Sequence, residues 1–339
     1  MKKIFITGGA GYCGSLLVEN LLRKNYEITI FDTCYFGHSH LPLTNKNLKL
    51  VIGDIRNVDS LNDALNKVRH DTFINLACIS NDASFVLDEN LSTSINLHAF
   101  EPMVKAAKDN GIKRFIYASS SSVYGVSDLP DVKEDHPLLP LTLYNKYKGE
   151  CEPVLKSYID NNFEAVIFRP ATVCGYSSRL RLDLSVNILT HHAYKKNLIT
   201  IFGGDQLRPN LHIKDYCDLV EKLIEADGKI INGETFNVGS QNLKIKDIAI
   251  KIQKIFKENF NREVDLKYQD SDDKRSYHIN SDKIYNVLGF KPQHTIEDAV
   301  EDLYDAFERG AIQNSVDDIN FYNIKKVQKL IDINKLAVS

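Results

Sequence analysis

The segment that most restricts the fold lies at the amino terminus. Lys3-Ile4-Phe5-Ile6-Thr7 reads as a short buried strand and runs at once into Gly8-Gly9-Ala10-Gly11-Tyr12-Cys13-Gly14. A helix over roughly residues 12–24 follows, with Leu16, Leu17, Leu21 and Leu22 as its apolar stripe. The glycines that count are Gly8, Gly11 and Gly14. They allow a tight turn, close approach of the backbone to a diphosphate, and close packing of the helix on the sheet. With Tyr12 and Cys13 they form an anion site at the positive end of that helix. A second strand, Glu27–Phe31, ends in Asp32. An acid there suits the ribose hydroxyls of NAD and repels the extra phosphate of NADP, so NAD is the cofactor expected.

Strands and helices then alternate. Leu48–Ile52 leads into Gly53-Asp54-Ile55-Arg56, residues 59–68 have helical spacing, and Thr72–Leu76 is an apolar strand. A long helix near 91–110, a strand over Arg114–Ala118, a helix reaching about Asn161 and a strand over Ala165–Arg169 complete the series. Such alternation predicts an α/β fold, a doubly wound parallel sheet of Rossmann type with helices on both faces. Ligands in such sheets bind beyond the carboxyl ends of the strands. The glycine loop, Asp32, Asp54, Ala77 and Ser119–Ser122 all fall at those ends. After Arg169-Pro170 the alternation decays into longer loops, the turn Gly203-Gly204-Asp205, helices over 246–256 and 295–309, and the short strand Thr235–Val238. The division expected is a dinucleotide-binding domain over 1–170, to which later segments return. A smaller mixed α/β substrate-binding lobe over 171–312 and a tail over 313–339 follow it. Ile319, Phe321, Ile324, Val327, Leu330 and Ile331 give the tail near-helical apolar spacing, to pack on its own chain or on a partner.

A net charge of −3 argues against a nucleic-acid surface. No apolar run reaches bilayer length, and Met1-Lys2-Lys3 leads directly into a strand rather than a signal sequence. Six cysteines (13, 34, 78, 151, 174 and 217) lack C-x-x-C spacing, which indicates neither a metal site nor a disulfide framework. A cytoplasmic protein is the simplest reading.

The chemistry-bearing pair is Tyr144 and Lys148, one helical turn apart and on one face. A lysine ammonium there lowers the phenol's pKa, so the tyrosine can take a proton from a sugar hydroxyl while hydride leaves the same carbon. The strand Phe115–Ala118 ends in Ser119-Ser120-Ser121-Ser122-Val123-Tyr124-Gly125, whose hydroxyls can hydrogen-bond the reacting oxygen.

In these elements, in order, the chain resembles the extended short-chain dehydrogenase/reductases, in particular the NAD-dependent nucleotide-sugar epimerase/dehydratase family. Arg169-Pro170 and the stretch Gly203–Asp215 extend the resemblance over about residues 1–310. It implies Tyr144 as acid/base, Lys148 as the residue that orients the nicotinamide ribose, and Ser120 as their third partner. It further implies Asp54 and Ile55 beside the adenine, Ala77 beside the cofactor, and Asn96 near the active site. On the substrate side it implies a nucleotide-diphosphate sugar clamped by Arg208 and Arg275, with Asn187 and Arg179 near the nucleotide. Arg181 reads as a solvated charge. Thr172 stands where many members have asparagine, Asn210 where an aromatic is usual, and Ser80 where some epimerases have lysine.

The family's 4,6-dehydratases place Asp-Glu directly after the catalytic hydroxyl, where this chain has Ser121 and Ser122. That leaves chemistry needing only Tyr144, Ser120 and NAD. The favoured reading is a 4-epimerase working through a transient 4-keto sugar. The alternative is a 4-dehydrogenase that releases the keto product, since Arg179–Asn187 is similar to relatives that oxidise GDP-linked heptoses for surface polysaccharides. A non-catalytic NAD sensor ranks below both, because the Tyr-x-x-x-Lys pair is kept. The resemblance also implies a homodimer formed by the 91–110 and 144–161 helices.

Overall fold

A stretch of strand followed at once by glycine needs a sheet to run into, and the computed structural model supplies it. The structure describes residues 2–127, 129, 131–272, 275–333 and 336. The strands in chain order are β1 (Lys3–Thr7), β2 (Glu27–Asp32), β3 (Leu48–Ile52), β4 (Thr72–Asn75), β5 (Arg114–Ala118), β6 (Glu164–Pro170), β7 (Thr172–Cys174), β8 (Leu198–Phe202), β9 (Leu207–His212), β10 (Thr235–Val238), β11 (Gln241–Lys244) and β12 (Asp265–Gln269). The helices are α1 (Tyr12–Arg23), α2 (Val58–Asn66), α3 (Asp82–Phe85), α4 (Glu89–Thr93), α5 (Phe100–Asp109), α6 (Leu143–Ser157), α7 (Ser185–Lys196), α8 (Ile213–Glu225), α9 (Gly228–Ile231), α10 (Ile245–Phe260), α11 (Asp282–Leu288), α12 (Ile296–Glu308) and α13 (Asn323–Asp332).

Seven strands form one sheet in the order β3-β2-β1-β4-β5-β6-β10, every pairing parallel. The chain winds outward from β1 to β3, then returns to β4 on β1's other side. That reversal opens a crevice beyond the carboxyl ends of β1 and β4. Both faces of the strands are buried, which is why they read as continuous apolar runs. On one face Ile4, Ile6 and Ile116 pack with Leu17 and Leu21 of α1 and Leu219 and Leu223 of α8. On the other, Phe5, Phe73 and Phe115 stack ring on ring at 5.2 and 4.7 Å under α2, α5 and α6.

The main sheet takes its last strand, β10, from beyond residue 170. The smaller lobe holds a mixed sheet in the order β11-β9-β7 and the parallel pair β12-β8. Helices α7, α10 and α12 close over Ile199 and Ile201 of β8, with Ile252 and Phe256 of α10 and Val300 of α12 in the same core.

Two helices differ from the sequence reading. The helix expected over 91–110 is broken by a π turn at Ser94–His98. There Ser94 Oγ donates to Leu91 O at 2.6 Å, and the Asn96 amide clamps Ile79, accepting from its N–H at 2.8 Å and donating to its carbonyl at 2.9 Å. The widened turn is what carries Asn96 to the loop after β4. Helix α6 stops at Ser157 because Asp160 and Phe163 form a bridge that turns the chain into β6. In the tail, Val327 and Leu330 of α13, with Leu336, pack on this chain's own Tyr35, Phe36, Leu87 and Leu91. Among the described residues, no helix is long and apolar enough to cross a membrane.

Candidate active site

Beyond the carboxyl ends of the main sheet lies one cavity of about 490 Å³. At its inner end the glycine loop is shaped by contacts that exclude side chains. Gly8 has φ +77°, and a Cβ there would stand 2.6 Å from the Ala77 nitrogen and 2.7 Å from the Leu76 carbonyl carbon. A Cβ on Gly14 would stand 2.5 Å from Gly8 O, so α1 seats directly on the loop. Gly11 caps α1 without a side chain, which leaves the first-turn N–H groups of Tyr12, Cys13 and Gly14 at the cavity. Thr7 Oγ1 and the Ala77 N–H both donate to Asn75 Oδ1, at 2.8 and 3.1 Å, and brace the β1 and β4 ends.

Asp32 ends β2 with its carboxylate accepting from the Ala10 N–H at 3.0 Å and the Cys34 N–H at 2.8 Å. Burial raises its pKa, against the pull of those two bonds and of Arg179. Each oxygen keeps a lone pair for a ribose hydroxyl. Asp54 and Ile55 also line the cavity, and Arg56 grips Asp54 through Nε at 3.0 Å and Nη2 at 2.6 Å. A side-chain-free loop at a helix start beside a free-edged carboxylate fits an NAD diphosphate and ribose.

Ser120, Tyr144 and Lys148 meet in the same cavity. Thr142 caps α6, accepting from the Asn145 N–H at 3.3 Å, and this aims Tyr144, Asn145 and Lys148 inward. Ser120 Oγ lies 2.7 Å from Ser122 Oγ, which in turn donates to Asn145 Oδ1. Lys148 Nζ donates to Ala118 O at 2.8 Å and sits 5.1 Å from the Tyr117 ring centre. One of its three N–H donors is therefore held by the end of β5. Tyr144 is pushed well above its usual value of 10, first by burial, then by Cys78 and the Asp82 carboxylate, with Arg181 opposing. The lowered phenol pKa expected from Lys148 gives way to a raised one in the protein by itself, because loss of water outweighs the Arg181 guanidinium.

At the outer end, Arg208 Nη1 donates to Leu207 O at 2.9 Å and to Arg275 O, and its guanidinium lies 5.2 Å from the Tyr277 ring centre. Arg275 pairs with Asp82 at 2.8 Å. The two arginines expected to clamp a diphosphate are thus side by side. Thr172, Ser121, Ser80 and Arg179 line the walls. Ser80 Oγ accepts from Arg181 Nη1 and Asn323 Nδ2, both at 3.0 Å.

One sequence expectation needs correcting, and two asparagines stand one layer back from the cavity. Arg181 is not solvated. It is 7% exposed, lines the cavity and pairs with Asp183 at 2.6 Å. Asn187 stays behind the wall, donating to Arg181 O at 2.8 Å and Tyr12 Oη at 3.1 Å and accepting from the Gly175 N–H at 2.9 Å. Asn96 likewise spends its amide on Ile79. Neither asparagine is among the lining residues. Sequence reasoning missed Cys78, Asp82, Asn145 and Tyr277, which also line the cavity. The rule that ligands sit beyond strand ends would have flagged Cys78, in the loop after β4, and Asp82, at the start of α3.

The model of the NAD dependent epimerase/dehydratase family matches residues 4–239. The chain is similar to a UDP-glucose 4-epimerase of Rhizobium meliloti, 25% identical over 91% of this chain and 98% of that one. It is equally similar to a dTDP-D-glucose 4,6-dehydratase of Mus musculus, 25% identical over 98% of this chain and 93% of that one. Among solved structures, a UDP-glucuronic acid 4-epimerase variant from Bacillus cereus, in complex with a fluorinated UDP-glucuronic acid and NAD, superposes with a TM-score of 0.78. It is 25% identical, with 91% of this chain and 99% of that one covered.

Proposed function

The chain belongs to the NAD-dependent epimerase/dehydratase family of extended short-chain dehydrogenase/reductases, and from that premise we propose that it is a nucleotide-sugar 4-epimerase. The observation that carries this reading is the state of the carboxylates around Tyr144. A dehydratase needs an acid or base free to act on the carbons next to the keto group. Ser121 and Ser122 fill the two positions after Ser120, and Ser122 Oγ is committed to Asn145. The acids on the Tyr144 side of the cavity are ion-paired as well, Asp82 with Arg275 and Asp183 with Arg181.

NAD, when bound, supplies the hydride acceptor and a positive ring that favours the phenolate. Tyr144 Oη then takes the proton from the sugar C4 hydroxyl and returns it when the keto group is reduced on its other face. Ser120 Oγ holds the same sugar oxygen. Lys148, fixed by Ala118 O, orients the nicotinamide ribose. Arg208 and Arg275 hold the substrate diphosphate with fork-shaped donors while the sugar turns. The homodimer belongs to the same proposal: α5 and α6 expose Glu101, Lys105, Lys146 and Glu150, opposite charges able to pair across a two-fold axis.

The test is incubation with UDP-, GDP-, CDP- and dTDP-sugars, with products resolved by NMR. The C4 epimer with no net NADH is expected. Release of a keto sugar with stoichiometric NADH would establish the 4-dehydrogenase instead, and a 4-keto-6-deoxy product would establish a dehydratase.

A further inference from the structure

We propose that residues 319–332 form a strap over the bound dinucleotide and that Arg179, held by this strap, meets the cofactor diphosphate. The inference rests on the NAD reading of the cavity.

Arg179 is 5% exposed and lines the cavity. Its Nη2 donates to a neutral partner, Asn323 Oδ1, at 2.6 Å, and its Nε has no hydrogen-bond partner among the described residues. The guanidinium lies 3.8 Å from the Phe36 ring centre. Its neighbouring charge Arg181 repels it, and Asp183 is already paired with Arg181, so burial and repulsion pull the Arg179 pKa down to about 9. A buried cation without a paired anion is costly unless an anion arrives with the ligand. Arg179 lines the same cavity as Gly8, Gly11, Cys13 and Asp32, which puts it on the wall facing the glycine loop's cleft. The anion that a glycine loop and helix start receive is a dinucleotide diphosphate.

The tail makes this position. Asn323 and Val327 line the cavity. On one side the tail is tied to the sheet loops: Asn323 Nδ2 donates to Ser80 Oγ at 3.0 Å, Val327 and Leu330 pack on Tyr35 and Phe36, and Arg56 Nη2 donates to Leu336 O at 2.8 Å. On the other it is tied to the segment carrying Arg179: the Leu182 N–H donates to Phe321 O at 2.8 Å and the Ile324 N–H to Asp183 Oδ2 at 3.3 Å. It therefore crosses from the loops after β2, β3 and β4 to residues 179–183. Its anchors surround Asp32 and Asp54, the adenosine end of the cleft. A dinucleotide seated there exchanges only when these ties open.

The experiment measures exchange of bound cofactor. Protein freed of loose nucleotide is mixed with excess isotopically labelled NAD, and the bound fraction is read by mass spectrometry. The combined variant Asn323→Ala, Val327→Ala, Leu330→Ala should exchange at least about tenfold faster than the wild type, and Arg179→Met should weaken NAD binding by about tenfold or more. Hydrogen exchange on the wild type gives a second readout that needs no variant: NAD should slow the amides of residues 319–332. Exchange at the wild-type rate in the folded combined variant, or no protection of those amides, would overturn the strap. Failure of the wild type to bind NAD at all would overturn the dinucleotide reading and the strap with it.

Discussion

Replacing Gly8 with alanine probes the reason the chain can build its cofactor loop at all. Gly8 and Gly111 both hold left-handed backbone, with φ of +77° and +79°. An alanine at either position should cost roughly 1–2 kcal/mol for that conformation alone. At Gly111 nothing lies within 4 Å of the new Cβ, so the cost should end there. At Gly8 the Cβ would stand 2.6, 2.7 and 2.9 Å from main-chain atoms of Leu76 and Ala77, which cannot rotate away as a side chain tip does. The ends of β1 and β4 must part, adding about 1–3 kcal/mol of overpacking strain. Gly8→Ala should therefore lose about 2–5 kcal/mol and Gly111→Ala about 1–2. Urea unfolding of both variants against the wild type measures the difference, and the same titrations with saturating NAD measure what remains of the site. Because the displaced backbone is the diphosphate cradle, Gly8→Ala should also lose most of the NAD-dependent stabilisation that Gly111→Ala keeps. Equal destabilisation by the two variants, or full NAD stabilisation in Gly8→Ala, would refute the argument that close approach of β1 and β4 is what requires glycine.

Other outcomes follow from the same geometry. Tyr144→Phe should bind NAD as the wild type does yet lose at least about 100-fold in kcat, measured with the substrate found by the sugar screen. Burial raises the Tyr144 pKa, so its folded-state phenol stays protonated where the unfolded one ionises. Its contribution to stability is complete below about pH 10 and is lost above it, and Tyr144→Phe should flatten that alkaline limb of the urea midpoint. His70 and His191 are lowered by burial to about 4, so each binds its proton more readily when unfolded. Stability should fall as pH drops below about 6.5, by up to about 2 kcal/mol per histidine at pH 5, with His70→Asn and His191→Asn removing their shares. Asp32→Asn should weaken NAD binding about tenfold and narrow the discrimination against NADP, read by fluorescence titration with both nucleotides.

Local rules carried the sequence reading as far as local interactions reach. The β1 strand, its glycines and α1 were legible because each is fixed by neighbours within a few residues: apolar periodicity, positive φ and a capless helix start. Tyr144 and Lys148 were placed on one inward face because helix geometry alone puts them there. Lys148's hydrogen bond was not legible, since its acceptor, Ala118 O, lies 30 residues away. The break in the 91–110 helix was also hidden. Its cause is the Asn96 amide gripping Ile79, a tertiary choice that no periodicity records.

Residues 179–182 show most clearly where such reading stops. Arg179-Leu180-Arg181-Leu182 alternates charge and apolar side chain, the pattern of a segment with one buried and one solvated face. All four are buried. The leucines join the main core, while Arg181 turns to Ser80 and Asp183 and Arg179 turns to Asn323. Asn323, 144 residues further on, bonds to Arg179 and to Ser80 and closes that side. With this cover both arginines are cavity walls: Arg181 pairs with Asp183, and Arg179 bonds to the neutral Asn323. The meaning of the polar side chains at 179 and 181 therefore depends on contacts made only when the whole chain has folded.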